Sequence, residues 1–143
     1  FYYHFRIHPY SRSSFRALKK TPKLYLWDWS EVEDDAARFE NLIASHLLKL
    51  VHWMQDREGY KIGIYFLRDD AQREVDFLIT SDGKPWFAVE VKSQDQDASP
   101  SLRYFREKLS IPHSYQVIKK AGVDVFDKGV RVVSADKFLA ALI

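Results

Sequence analysis

Between residues 61 and 92 the chain offers three apolar runs of strand length, Lys61 to Leu67, Glu74 to Thr80 and Trp86 to Lys92, separated only by the polar turns RDDAQR and SDGK. Connections that short join antiparallel neighbours, because a parallel pair needs a crossover of about a dozen residues or more. A three-stranded meander therefore sits at the centre of the chain, and the remaining segments must pack on it. Upstream, Val32, Ala36, Phe39, Ile43, Leu47, Leu50 and Met54 recur at helical spacing. Ser30 and Glu33 form a capping box and Gly59 supplies a stop, so the pattern predicts a helix over residues 31–57. Downstream, Ser99 and Pro100 read as the N-cap and first turn of a second helix reaching Leu109. Short strands at Tyr115 to Ile118 and Val130 to Val133 follow, the latter after a DKG turn, and Ser134 is placed to cap a last helix ending at Leu142. This order predicts an α/β fold with one mixed central sheet flanked by helices.

Charges interrupt these apolar elements in a regular way. Residues two apart in a strand share a face, so Glu90 and Lys92 point one way while Val89 and Val91 point the other. The same rule puts Glu74 with Asp76, opposite Val75 and Phe77. If the two strands pair, an acid from each converges on one face. Glu40 stands at the edge of the helical stripe, between Ala36 and Ile43. Two or three carboxylate oxygens in one place suit a hard divalent cation, Mg²⁺ or Mn²⁺, which relieves a repulsion that otherwise makes one acid hold a proton. Lys92 beside them would assist an attacking water or stabilise negative charge on a phosphate. An exposed hairpin face that pairs charges across strands accounts for Glu90 and Lys92 equally well when they are taken alone.

Several function classes are excluded or disfavoured. The chain has no cysteine, hence no disulfide and no thiolate metal site, and no signal peptide is visible, which favours a cytoplasmic protein. Its apolar runs fall far short of the roughly 20 residues that cross a bilayer, so a soluble protein without a membrane partner is expected. No GxxxxGK[ST] or GxSxG motif occurs, which leaves ATP binding through a phosphate loop and serine hydrolase chemistry unsupported. His4 and His8 flank no third ligand, His46 and His52 fall on different helix faces, and His113 merely precedes a strand. All read as ordinary histidines.

The net charge of +2 conceals an asymmetry. Residues 1–27 carry six bases (Arg6, Arg12, Arg16, Lys19, Lys20 and Lys23) and no acid, interleaved with Phe1, Tyr2, Tyr3, Phe5, Tyr10 and Phe15, which leaves 16 bases against 20 acids in 28–143. Such an arm suits phosphate contact and base stacking, or packing against a preceding domain. The chain is accordingly divided into a basic aromatic arm, 1–27, and a globular domain, 28–143. Because it opens on Phe1, an upstream portion is expected. Self-association is left open.

Glu40 in RFENLIASHLL, Asp76 in REVDFLIT, and Glu90 with Lys92 in FAVEVKS resemble the active-site pattern of the PD-(D/E)xK, or restriction-endonuclease-like, superfamily. Its α-β-β-β-α-β core has the element order read above. More narrowly, KLYLWDWSEVEDDAARFENLIASHLL, REVDFLI and VEVKS resemble the DUF4143 domain found at the C-terminus of many prokaryotic AAA-type ATPases, over roughly residues 10–110. The resemblance implies a Mg²⁺-dependent (or Mn²⁺-dependent) nuclease acting on DNA, with an ATPase domain upstream in the same polypeptide. Asp76 and Glu90 would be metal ligands, with the Val91 carbonyl as a further ligand. Lys92 would be the catalytic lysine and Glu40 an accessory acid supporting the metal. Val75 stands where many members have proline. Arg103, Arg106 and Lys108, on the helix that flanks the cleft in that superfamily, are implied as nucleic-acid contacts, and Lys119 and Lys120 would extend that surface. The alternative is a non-catalytic nucleic-acid-binding or protein-interaction module attached to the same ATPase.

Overall fold

The computed structural model describes residues 4–11 and 21–142. Of the basic aromatic arm, Phe1, Tyr2, Tyr3, Arg12, Phe15, Arg16, Lys19 and Lys20 lie outside the described residues. The described elements are β1 (His4–Pro9), β2 (Lys23–Leu26), a 3₁₀ turn (Trp29–Glu31), α1 (Asp35–Glu58), β3 (Ile62–Arg68), β4 (Glu74–Ser81), β5 (Lys84–Lys92), α2 (Pro100–Lys108), β6 (His113–Ile118), β7 (Asp124–Asp127), β8 (Val130–Ser134) and α3 (Ala135–Ala141). The fold is the mixed α/β sheet flanked by helices that the sequence predicts, with strand order β2-β1-β3-β4-β5-β6-β8-β7.

The meander forms as expected: β3, β4 and β5 pair antiparallel, β6 adds parallel to β5 after α2, and β8 adds parallel to β6 with β7 antiparallel on its outer side. Two tight hairpins use left-handed residue pairs, Asp82 and Gly83 between β4 and β5, and Lys128 and Gly129 between β7 and β8. Those are the conformations a two-residue hairpin turn requires. Strand β7 was not anticipated, because DVFD lacks the apolar run that marks a core strand; Val125 and Phe126 are exposed on it. The arm residues in β1 and β2 also join the sheet, with β1 parallel to β3 and antiparallel to β2.

Two apolar layers hold the helices to the sheet. On one face Phe39, Ile43, Leu47 and Val51 of α1 and Phe138 of α3 pack on Phe77, Ile79, Phe87 and Val89. On the other, Leu102 and Phe105 of α2 pack on Leu78, Ala88, Ile118 and Val132.

The start of α1 differs from the capping-box expectation. Ser30 lies in the 3₁₀ turn capped by Asp28, and the α-helix begins only after Asp34, whose carboxylate accepts the Ala37 amide at 2.8 Å. A carboxylate at the N-cap both satisfies a free amide and meets the positive end of the helix dipole, so Asp34 displaces the serine. Val32 and Ala36 consequently leave the buried stripe. Gly59 ends the helix in the left-handed conformation, as read. Ser134 precedes α3 without capping it, since its hydroxyl accepts the Val123 amide and donates to the Lys120 carbonyl instead.

A carboxylate cluster at the mouth of β4 and β5

Strict alternation along β4 breaks at Asp76. The register against β3 runs Tyr65 opposite Leu78 but Leu67 opposite Val75, so β4 carries one extra residue there, a β-bulge. Val75 and Phe77 do not share a face as the period-two rule predicts: Val75 packs in the α2 layer and Phe77 in the α1 layer. The bulge re-aims Asp76 at the end of the sheet, where β4 begins and β5 ends. Its Oδ2 accepts the backbone N–H of Val91 at 2.8 Å, in place of a ladder bond. Val91 thus meets Asp76 through its amide, whereas the resemblance assigned it a role through its carbonyl.

Three carboxyl groups converge at this place from three elements. Asp76 and Glu90 are both buried, and Glu90 is close enough to oppose the ionisation of Asp76. Glu40 of α1 is half-buried and lies near enough to Asp76 to feel its charge. Burial, followed by the neighbouring Glu90, holds the Asp76 carboxyl well above the usual carboxylate range, against the opposing pull of the Val91 amide and Lys23. Burial and then the Asp76 charge raise Glu40, and the Tyr25 hydroxyl and Lys23 offset part of that rise. Desolvation and like-charge crowding act in the same direction here.

Neighbouring groups fix the geometry. The Tyr25 hydroxyl donates to Glu40 Oε2 at 2.6 Å, and burial and then the Glu40 charge raise its own pKa far above the ordinary tyrosine value, so it stays a donor. Glu90 Oε2 accepts from the hydroxyl of Ser99 at 3.3 Å, the residue that caps α2. Gln116, fully buried on β6 and in register with Glu90, holds that corner: its Oε1 accepts the Ser99 amide at 2.8 Å and its Nε2 donates to the carbonyls of Asp95 and Asp97, each at 2.8 Å. On the α1 side the Asn41 amide pairs with both backbone groups of Leu26 and seats β2 against the helix.

The cation inside this cluster is Lys23. Its Nζ lies 2.5 Å from Glu74 Oε1, 3.7 Å from Asp76 Oδ1 and 3.9 Å from Glu40 Oε2. Burial disfavours its charge, but the Glu74 hydrogen bond and the Glu40 and Asp76 charges prevail, so its pKa is raised. Glu74 moves oppositely: burial pushes it up, and the bond and charge of Lys23, with Arg68, bring it below its usual value. Sequence reading counted Lys23 as one base of the arm and missed its place. The signal was present in KLYL, where the two-residue spacing of Lys23 and Tyr25 puts both on one face.

The other expected residues distribute differently. Lys92 is half-buried at the end of β5, and its ammonium has no ion pair among the described residues. On α2, Arg103 is exposed, while the Arg106 guanidinium lies against Gly129, close enough that a Cβ there would come within 2.6 Å of it. Lys108 donates to the Tyr104 hydroxyl at 3.0 Å, on a ring that Arg73 also covers at 3.6 Å. With about 1.5 Å rise per residue, Arg106 and Lys108 sit roughly 10 Å or more along the helix from Ser99. Lys119 and Lys120 are exposed. His46 bonds the Leu42 carbonyl within its own helix. A separate cavity of about 420 Å³, lined among others by Leu50, Trp86, Tyr115 and Phe138, contains none of the acids.

Hard divalent cations take oxygen donors, often one or two carboxylates with waters completing the shell. Asp76, Glu90 and Glu40 supply donors of that kind, each with one oxygen already engaged by Val91, Ser99 and Tyr25. The donor chemistry fits such an ion, although among the described residues no group of three or more histidine, aspartate or glutamate side chains is spaced to enclose one as it stands. Among the described residues no helix is long and apolar enough to cross a membrane.

Comparison with known proteins returned one family, described as "Domain of unknown function (DUF4143)", matching residues 36–138. No curated protein and no solved structure matches the chain. The match covers most of the sequence and includes Glu40, Asp76, Glu90 and Lys92; the chain belongs to the DUF4143 family.

Proposed function

We propose that this DUF4143 domain is a metal-dependent phosphodiesterase of the PD-(D/E)xK type that acts on DNA, attached to an AAA-type ATPase in the same polypeptide. The observation that carries the reading is the convergence of Glu40, Asp76 and Glu90, from a helix and two strands, on one partly buried point. A fold gains no stability by burying carboxyls against one another, so such an arrangement is retained for what it binds. Mg²⁺ or Mn²⁺ held by Asp76 and Glu90, with Glu40 in support, would supply Lewis-acid stabilisation of a scissile phosphate.

The chain's own residues divide the remaining work. Asp76, locked to the Val91 amide, and Glu90, locked to Ser99, present their other oxygens in fixed directions. Lys92, two residues along the same strand and free of an ion pair among the described residues, is available to an attacking water or to the phosphate. Arg103, exposed on α2 beyond Ser99, is the best placed of the helix cations for backbone contact; Arg106 lies against Gly129 and Lys108 bonds the Tyr104 hydroxyl.

One observation favours the second reading, a non-catalytic nucleic-acid-binding or protein-interaction module: Lys23 already supplies a cation to Glu40, Glu74 and Asp76. The two separate by incubation of the purified protein with supercoiled and linear DNA, and with RNA of matching sequence, in Mg²⁺ or Mn²⁺. Wild type is expected to nick or cut DNA, and Asp76→Ala to lose at least about a hundredfold of that rate, the scale of losing a group that holds the metal. Equal rates in the two proteins refute the nuclease assignment. Retention of DNA without cleavage selects the binding module.

A further inference from the structure

We propose that the Lys23 ammonium is the acid cluster's resident counter-ion, and that a divalent cation enters by displacing it toward Glu74. This rests on the metal-site reading given above and adds to it the residue that controls occupancy. The ammonium lies within 4 Å of carboxylate oxygens of Glu40, Glu74 and Asp76, so it shares Asp76 and Glu40 with the proposed metal site. Its Nζ lies over the Phe66 ring, 5.1 Å from the centroid, and only 19 % of the side chain is exposed, so it is held there rather than solvated. Uncompensated, the carboxylates would repel one another, and Lys23 supplies a charge from within the chain.

The arrangement also supplies the way out. Glu74 is the most exposed of the acids touching Lys23, at 33 %, and makes its shortest contact. Asp76 and Glu40 contact the same ammonium at the longer distances of 3.7 and 3.9 Å. A lysine swinging about its own flexible stem can keep Glu74 and release the two inner acids, with no backbone movement in β2. A monovalent ion exchanges one charge for one charge and gains little by entering. A divalent ion gains a charge at the inner acids, so Lys23 sets a threshold that selects for valence.

Binding of Mn²⁺ alone, followed through the electron paramagnetic resonance signal of the free ion, tests this on wild type, Lys23→Met and Lys23→Arg. Lys23→Met is expected to bind Mn²⁺ about tenfold tighter or more, since a like charge within about 4 Å has been removed; Lys23→Arg is expected to bind no tighter than wild type. Removing a nearby charge tightens binding even without displacement, so a second measurement uses wild type, which also covers a failure of Lys23→Met to fold. Reductive methylation read by mass spectrometry is expected to spare Lys23 without metal and to label it at saturating Mn²⁺. Labelling of Lys23 that does not change on saturation overturns displacement, and equal affinity of wild type and Lys23→Met overturns the counter-ion role; both results leave the metal site standing. Absence of Mn²⁺ binding in all three proteins removes the metal-site reading itself.

Discussion

At the mouth of β4 and β5 one half-buried lysine, Lys23, serves the carboxyls of Glu40, Glu74 and Asp76; at the β7–β8 edge two cations, Arg131 and Lys137, serve a single carboxylate, Asp124. Asp76 and Glu40 in the first cluster and Asp124 in the second shift in opposite directions, while Glu74, bonded to Lys23, moves down as Asp124 does. Arg131 grips Asp124 bidentately, at 2.8 and 2.9 Å, and with Lys137 it holds that carboxyl well below its usual range. Burial and acid neighbours hold Asp76 well above it. The ratio of acids to cations and the access of water set the sign, and the surplus of acid at the first cluster is what the proposed metal site rests on.

The largest expected effect on stability concerns the scaffold of the acid end. Gln116→Leu deprives the Ser99 amide and the Asp95 and Asp97 carbonyls of their partner, and is expected to cost about 2 kcal/mol in chemical denaturation. A loss well under about 0.5 kcal/mol would show that the corner is not held by that amide.

Next in size is the pH dependence of the metal-free protein, where Asp76 and Glu40 on one side and Asp124 on the other predict opposite slopes. Asp76 and Glu40 have raised values in the folded state, so the fold binds their protons more tightly than the unfolded chain does. Their contribution is fully present below the unfolded carboxyl values, near about 4, and is lost as pH rises through the raised folded values. Asp124 is lowered, so its contribution is present above the unfolded value and is lost as pH falls through the folded one. Thermal melts across acid and neutral pH are expected to flatten on the upper side in Asp76→Asn, with a Tm at neutral pH raised by a few degrees, or about 1 kcal/mol. An unchanged upper slope in that variant breaks the contrast.

The smallest effect is expected at the exposed cluster. Asp124→Asn should leave Tm at neutral pH within about one degree of wild type, because exposed ion pairs are screened and contribute little. It should also leave any DNA cleavage untouched. A marked loss of either would put function at the wrong end of the sheet.

Much of the fold was legible because periodicity reports burial. The meander, α2 with its Ser99 cap, and the Gly59 stop follow from residue spacing and turn chemistry alone. The start of α1 was misread because serine and aspartate compete as caps, and only the backbone path shows that Asp34 takes the role. Strand β7 escaped notice because an exposed edge strand has no core pattern to display. At the site, Glu40, Asp76 and Glu90 stood out as charges within apolar runs and do meet. Lys23 did not stand out, because a lysine in a basic stretch looks like every other base until the chain is folded.

The sequence by itself therefore determined which residues are apolar, at what spacing, and which acids break that spacing, since these depend on neighbours along the chain. The tertiary structure decided the bulge that turns Asp76 out of strict alternation, the opposition of Gln116 to Glu90, and the choice of Lys23 over Lys92 as the cation among the acids. Each of those depends on strand register and on packing between segments tens of residues apart, where shape and desolvation act and sequence proximity does not.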